Sequence, residues 1–181
     1  MIRPRILALA MAAALTAPAA ARACGPEIDI RFFEASDGDV FIIANKSRET
    51  WLLVTLEIDL VGSKGRLVFD TEDGGAGFSM HAPFAAASGD VGLVAAPDVA
   101  DGAERVGLSF TQFAPGRDFT FVIDLDDRLE SSDFGQAVVS GPEIDGAKAR
   151  AQLITPDGAQ TPARGRFGPD GRAVLRGGLC A

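Results

Sequence analysis

Turn signals recur about every ten residues along most of this chain, which leaves room for strands and for few helices. They are Ser36-Asp37-Gly38-Asp39, Gly62-Ser63-Lys64-Gly65, Asp101-Gly102, Pro115-Gly116, Asp145-Gly146, Pro156-Asp157-Gly158 and Pro169-Asp170-Gly171. Glycine, proline and aspartate at these points supply the backbone angles that reverse a chain. The clearest strand between them is predicted at Trp51–Val61. Leu52, Val54, Leu56, Ile58 and Leu60 fall on one face, with Leu53, Thr55, Glu57, Asp59 and Val61 on the other. Alternation of this length marks a half-buried strand. Phe119–Asp126 repeats it, with Phe119, Phe121, Ile123 and Leu125 inward and Thr120, Val122, Asp124 and Asp126 outward. Val106, Leu108 and Phe110 alternate with Gly107, Ser109 and Thr111 in the same way.

Weaker strands are expected at Ile28–Glu34, Val40–Asn45, Arg66–Asp70, Val91–Ala95, Ala137–Ser140, Lys148–Thr155 and Ala173–Arg176. Glu72–Gly89 is rich in Gly, Ala and Ser and reads as a long loop or irregular edge. Within it, Ala82–Ser88 has room for only one or two helical turns between Pro83 and Gly89. The expected fold is all-β: an antiparallel β-sandwich, immunoglobulin-like or related, whose two sheets bury their alternating faces against each other.

Residues 1–23 read as a cleavable secretory signal. Arg3 and Arg5 precede an apolar run from Ile6 to Leu15, and Ala21-Arg22-Ala23 places small residues before a cut at Cys24. The apolar run is about half of the ~20 residues that a spanning helix needs, which argues against an anchor. Acylation of Cys24 is the lesser alternative, disfavoured by Arg22. Residues 24–181 then form one β-sandwich domain, exported to the periplasm or the medium and without a membrane span. Cys24 and Cys180, at the two ends of that domain, are expected to pair in an oxidising compartment.

Charge narrows the partners. Residues 1–23 hold three of the 17 basic residues and none of the 25 acidic ones, so the exported part has 14 against 25, a formal net of −11. Such a surface repels nucleic acid, and no basic stripe is visible along the chain.

Catalytic chemistry has little to stand on. The one histidine, His81, lies in the Gly-rich region near Ser79, with no Gly-x-Ser-x-Gly elbow around it, and reads as an ordinary loop residue. A histidine zinc site lacks its ligands. Asp70-Thr71-Glu72-Asp73-Gly74 fails the spacing of an EF-hand loop and reads as a turn with solvated acids. Asn45-Lys46-Ser47 matches a glycosylation acceptor, to which no function attaches. Asp124, Asp126 and Asp127 bunch at a strand end. Their first reading is a solvated strand face, with Arg128 neutralising part of the charge. Their second is calcium ligation, with further oxygens from another loop, for which Asp70–Asp73 is the candidate by composition.

Leu56–Asp70, Phe113–Asp127 and Ser140–Ala147 together resemble stretches of short exported bacterial proteins labelled "aggregation factor core", after a module of the sponge aggregation factor. The resemblance covers roughly Asp39–Ala147, and Asp124-Leu125-Asp126-Asp127 is its most distinctive part. It implies a secreted, non-catalytic β-sandwich that serves adhesion, with a protein or glycan partner at the cell surface, and it carries over no catalytic residue. The expected function is therefore an extracellular interaction module that depends on calcium. The alternative is a periplasmic enzyme of small polar substrates using His81 or the Asp124–Asp127 acids. A pocket gathering His81 and an acid favours the enzyme; a flat face with acids at one rim favours the module.

Overall fold

The computed structural model describes residues 25–48, 50–78, 80–132 and 134–178. Residues 1–23, Cys24 and Cys180, on which the leader and the disulfide expectations rest, lie outside the described residues. Ten strands and one short helix follow in the order β1 (Glu27–Phe33), β2 (Asp39–Asn45), β3 (Leu52–Asp59), β4 (Val68–Asp70), β5 (Ala85–Gly89), β6 (Arg105–Phe113), β7 (Asp118–Asp126), α1 (Gly141–Ile144), β8 (Lys148–Ile154), β9 (Gln160–Arg166) and β10 (Arg172–Arg176). No described helix is long and apolar enough to cross a membrane.

The all-β, antiparallel expectation holds. All the strands lie on one hydrogen-bonded path, β4-β7-β2-β1-β10-β9-β8-β3-β6, with β5 added beside β7. Every pairing is antiparallel. The sheet curls until its two ends nearly meet. The stretch after β5 pairs with β6, through the bridge of Leu93 with Phe110 and through Thr111 N–H to the Gly92 carbonyl. Inside, Phe110 of β6 lies 5.4 Å from Phe119 of β7, ring to ring, so the two ends of the path share one core. The result is a nearly closed, barrel-like sheet.

Aromatic side chains fill the interior. Phe41 of β2 stacks on Phe121 of β7 at 5.0 Å, and Phe84 covers the far face of Phe121 at 5.1 Å. Phe32 and Phe167 close on Phe41 from β1 and from the end of β9. The two ends of the described stretch come together too, since Gly177 N–H donates to the Pro26 carbonyl at 3.2 Å.

One expected face is shifted. Leu56, Ile58 and Leu60 are buried as the alternation demands, but Leu52 is only half-buried and Val54 is exposed, with Leu53 in the core instead. Both neighbours of β3 slip in register between Leu53 and Thr55. A bulge there inserts one residue and reverses the faces on its N-terminal side. Two other expectations fail. Val91–Ala95 forms no full strand, pairing with β6 only through the Leu93 bridge and the bonds of Gly92 and Val94 beside it, and Ala137–Ser140 leads into α1, with Ser140 as its cap. β5 falls in the stretch read as a loop or one or two helical turns. β9 was not visible in the sequence because its inward positions carry little apolar weight: Thr161, Ala163 and Gly165.

Asn45 has a structural role. Its amide donates to the carbonyls of Trp51 at 2.8 Å and Phe113 at 2.9 Å, and its side-chain oxygen accepts the Ser47 N–H at 3.1 Å. Fully buried, it ties β2 to the starts of β3 and the end of β6, and a glycan has no access to it. In the core, Leu56→Ala removes a side chain wedged between Leu108 and Ala151. We expect it to cost about 3 kcal/mol in denaturant unfolding, with a loss under about 1 kcal/mol contradicting the inward face of β3.

Candidate metal centre

The acids at the end of β7 are buried rather than solvated. Asp124 is 6% exposed, and Asp126 and Asp127 are fully covered. What covers them is the return of the chain after β4. Asp70, the last residue of β4, stands directly opposite Asp124 in the ladder, and Val68 stands opposite Asp126. Cross-strand neighbours project to the same side of a sheet, so Asp70, Asp124 and Asp126 share one face. Thr71–Phe84 then folds back over that face. Ala82 N–H donates to the Asp70 carbonyl at 3.2 Å, and Asp124 N–H donates to the Ala82 carbonyl at 3.0 Å. Phe78 N–H donates to Asp126 Oδ2. Asp101 holds the loop from the other side, accepting Thr71 N–H on Oδ1 at 2.9 Å and Ala76 N–H on Oδ2. Those two amides keep the Asp101 carboxyl below its ordinary value.

Asp70, Asp124 and Asp126 each present an oxygen to a common point, and those oxygens lie within 4.8 Å of one another. Each residue also has one buried oxygen with no hydrogen-bond partner among the described residues: Asp70 Oδ1, Asp124 Oδ2 and Asp126 Oδ1. Burial, then the charges of Asp126 and Asp70, pushes Asp124 up to about 7. Burial likewise raises Asp126 to about 7, against the Phe78 amide, which pulls it down. Asp70 is raised by burial and by the neighbouring Asp101 carboxyl. Gly77 lies against this group, and a Cβ there would overlap Asp70 Oδ2 and Asp126 Oδ2. Only glycine leaves the space between the carboxylates open.

Two flanking acids differ. Asp39, at the start of β2, accepts the Leu125 N–H on Oδ2 at 3.0 Å, and burial and Glu34 push it up to about 10, so it is a neutral acid at pH 7. Asp127 was expected among the ligands, but the structure places it apart from the three. It follows Asp126 directly and turns the other way, accepting Leu129 N–H on Oδ1 at 2.8 Å, and its backbone N–H donates to the Gln136 carbonyl at 2.9 Å. It shapes the 128–136 loop, and Asp70 takes its place in the group. Arg128 is exposed, and no ion pair joins it to these acids among the described residues.

His81 comes close to the group. Its charge lowers the Asp70 pKa, and it lines a cleft of ≈ 140 Å³ with Asp70, Glu72, Asp73 and Gly77. The sequence offered Asp70–Asp73 as a second source of oxygens by composition alone; the ladder brings Asp70 beside Asp124, which a strand as short as β4 does not announce.

Three buried carboxylates of this kind suit a hard cation. An unpaired buried charge is expensive, and a site relieves it by protonation or by an ion. Oxygen-only donors favour calcium, magnesium or manganese over zinc or copper. Comparison of the chain with protein-family models, with curated proteins and with solved structures finds no match.

Proposed function

We propose that this protein is an exported, non-catalytic β module whose interactions depend on calcium, held by Asp70, Asp124 and Asp126. The observation that carries the reading is the three buried carboxylates with an unpaired oxygen each, converging within 4.8 Å. Calcium takes six to eight oxygens at roughly 2.3–2.6 Å, so the three aspartates supply the charged part of a shell, and carbonyls or water of the covering loop supply the rest. Bound there, the ion cross-links the end of β7 to β4, and so fixes the loop that roofs them. A calcium-braced rim is a means of holding a contact surface rigid outside the cell, where the ion is abundant. The adhesion role, the export and the likeness to aggregation factor core proteins belong to the same reading. So does the finer architecture, a curled sheet flattened into an immunoglobulin-like sandwich, supported by the meeting of Phe110 and Phe119.

The test is calorimetric titration with calcium at neutral pH. We expect one site with a Kd of roughly 10⁻⁴–10⁻³ M, as in extracellular modules. Asp124→Asn with Asp126→Asn should abolish the heat, and Gly77→Ala should weaken binding by filling the space. Equal binding by the double variant removes the site. Export is checked separately by fractionating cells and medium.

The enzyme reading has one observation in its favour: His81 and Asp70 line the same cleft. At ≈ 140 Å³ the cleft is smaller than the ~300–1,000 Å³ of sites that enclose a small molecule. His81→Ala separates the readings, since the cation site has no need of the imidazole and a hydrolytic centre does.

A further inference from the structure

The acidic chain carries a basic face that only the strand register reveals. Lys148 and Arg150 of β8, Arg164 and Arg166 of β9, and Arg172 and Arg176 of β10 all point outward, because Ala149, Ala151, Ala163, Ala173 and Leu175 between them point in. These are six of the 14 basic residues after residue 23, and the three strands contain no acid. They line up in rows. Arg150 stands opposite Arg164, Lys148 opposite Arg166, and Arg164 opposite Arg176. Like charges directly across a ladder destabilise a sheet, so three such pairs in one patch call for an anionic partner. Part of the face is already neutralised: Arg172 pairs with Asp29, and Arg176 with Glu27 at 3.0 Å. On β8 and β9 the single ion pair among the described residues is Arg150 with Glu57, at 3.7 Å.

At that end the sheet surface is concave. Thr55, Glu57, Ser109, Arg150, Gln152 and Arg164 surround a groove of ≈ 430 Å³. Gly107 opens its end at β6, where an added Cβ would meet nothing within 4 Å. Its polar side chains are two hydroxyls, an amide, a carboxylate and two guanidinium forks; Pro162 and aliphatic residues of the strands line the rest, with no aromatic ring among them. A membrane surface would ask for exposed apolar anchors. A densely sulfated polymer would bring more charge per unit against Glu57 than a uronate does. Hydroxyl groups with one carboxylate per unit match the polar part of the lining, since each Arg fork takes a carboxylate in two parallel bonds and Thr55, Ser109, Gln152 and Glu57 pair with hydroxyls, while the faces of sugar rings suit Pro162.

We infer that this groove binds a strand of uronate-bearing polysaccharide, with Arg150 and Arg164 on its carboxylates. The site is separate from the acidic cluster, and its test is run in chelator, so neither reading depends on the other. Oligogalacturonate is titrated into the purified protein, with neutral dextran and dextran sulfate in parallel. Oligogalacturonate should bind, neutral dextran should not, and high salt should weaken the complex. Arg150→Gln with Arg164→Gln should lower affinity by about tenfold or more. Gly107→Gln, which blocks the groove while leaving every charge and the strand intact, should do the same. Unchanged affinity in either variant overturns the proposal, as does a preference for dextran sulfate. Sedimentation as a dimer that the arginine double variant dissociates also overturns it, and gives the face to a second copy of this acidic chain.

Discussion

In chelator, the melting temperature of this protein should fall as the pH is raised from about 4 to about 8, and calcium should make up part of the fall. Asp124 and Asp126 are held at about 7, chiefly by burial, against an ordinary carboxylate value of 3.8. With folded values raised above the unfolded one, the native state binds more protons between them. Its extra stability is complete below the unfolded pKa and is lost as the pH climbs through about 7. One carboxyl displaced that far represents on the order of 4 kcal/mol. Calcium acts in the opposite sense, because it binds the ionised carboxylates. At a hundredfold excess over Kd a single site restores about 2.7 kcal/mol. Replacing Asp124 and Asp126 by Asn then has an effect of unusual sign. The variant should be more stable than the parent in chelator at pH 8, should lose the slope with pH, and should ignore calcium. A flat pH profile of the parent in chelator, or an undiminished calcium response in the variant, excludes the centre.

Reducing the protein should be about as costly. Cys24 and Cys180 flank a described backbone in which Gly177 N–H reaches the Pro26 carbonyl at 3.2 Å, so β1 and β10 bring the chain on either side of the domain together. A bridge between those two cysteines closes nearly the whole domain into one loop. In the chain-entropy model a loop of that length stabilises by on the order of 5 kcal/mol. Urea unfolding with and without reductant measures the difference. Intact mass of the purified protein should be two hydrogens below that of the reduced chain. A mass raised by acyl groups, or a midpoint indifferent to reductant, sinks the bridge.

Strands with strong alternation were legible from residues alone, as β3, β6 and β7 illustrate. The Val54 bulge was not, because Leu52, Leu53 and Val54 are all apolar and either face satisfies the pattern. The acids of β7 show the limit most clearly. Their outward direction was readable, but outward normally means wet. Here Thr71–Phe84 roofs that side, and a Gly-rich segment announces nothing about where it lies. Asp70 entered the site through its register with Asp124, and the basic rows of β8 and β9 arose in the same way from Arg150 meeting Arg164. Both are facts about pairs of strands, and a single strand does not hold them.

The near closure of the sheet bears on how such a protein behaves when crowded. Open strand edges invite other chains to add on, by the same backbone pairing that builds fibrils. Here β5 and β4 occupy the flank of β7, and the Gly92–Val94 stretch occupies that of β6. With these described edges paired at home, a neighbour would meet the molecule through side chains rather than by adding a strand. A contact made that way would be set by ions, salt and pH, and so could be undone.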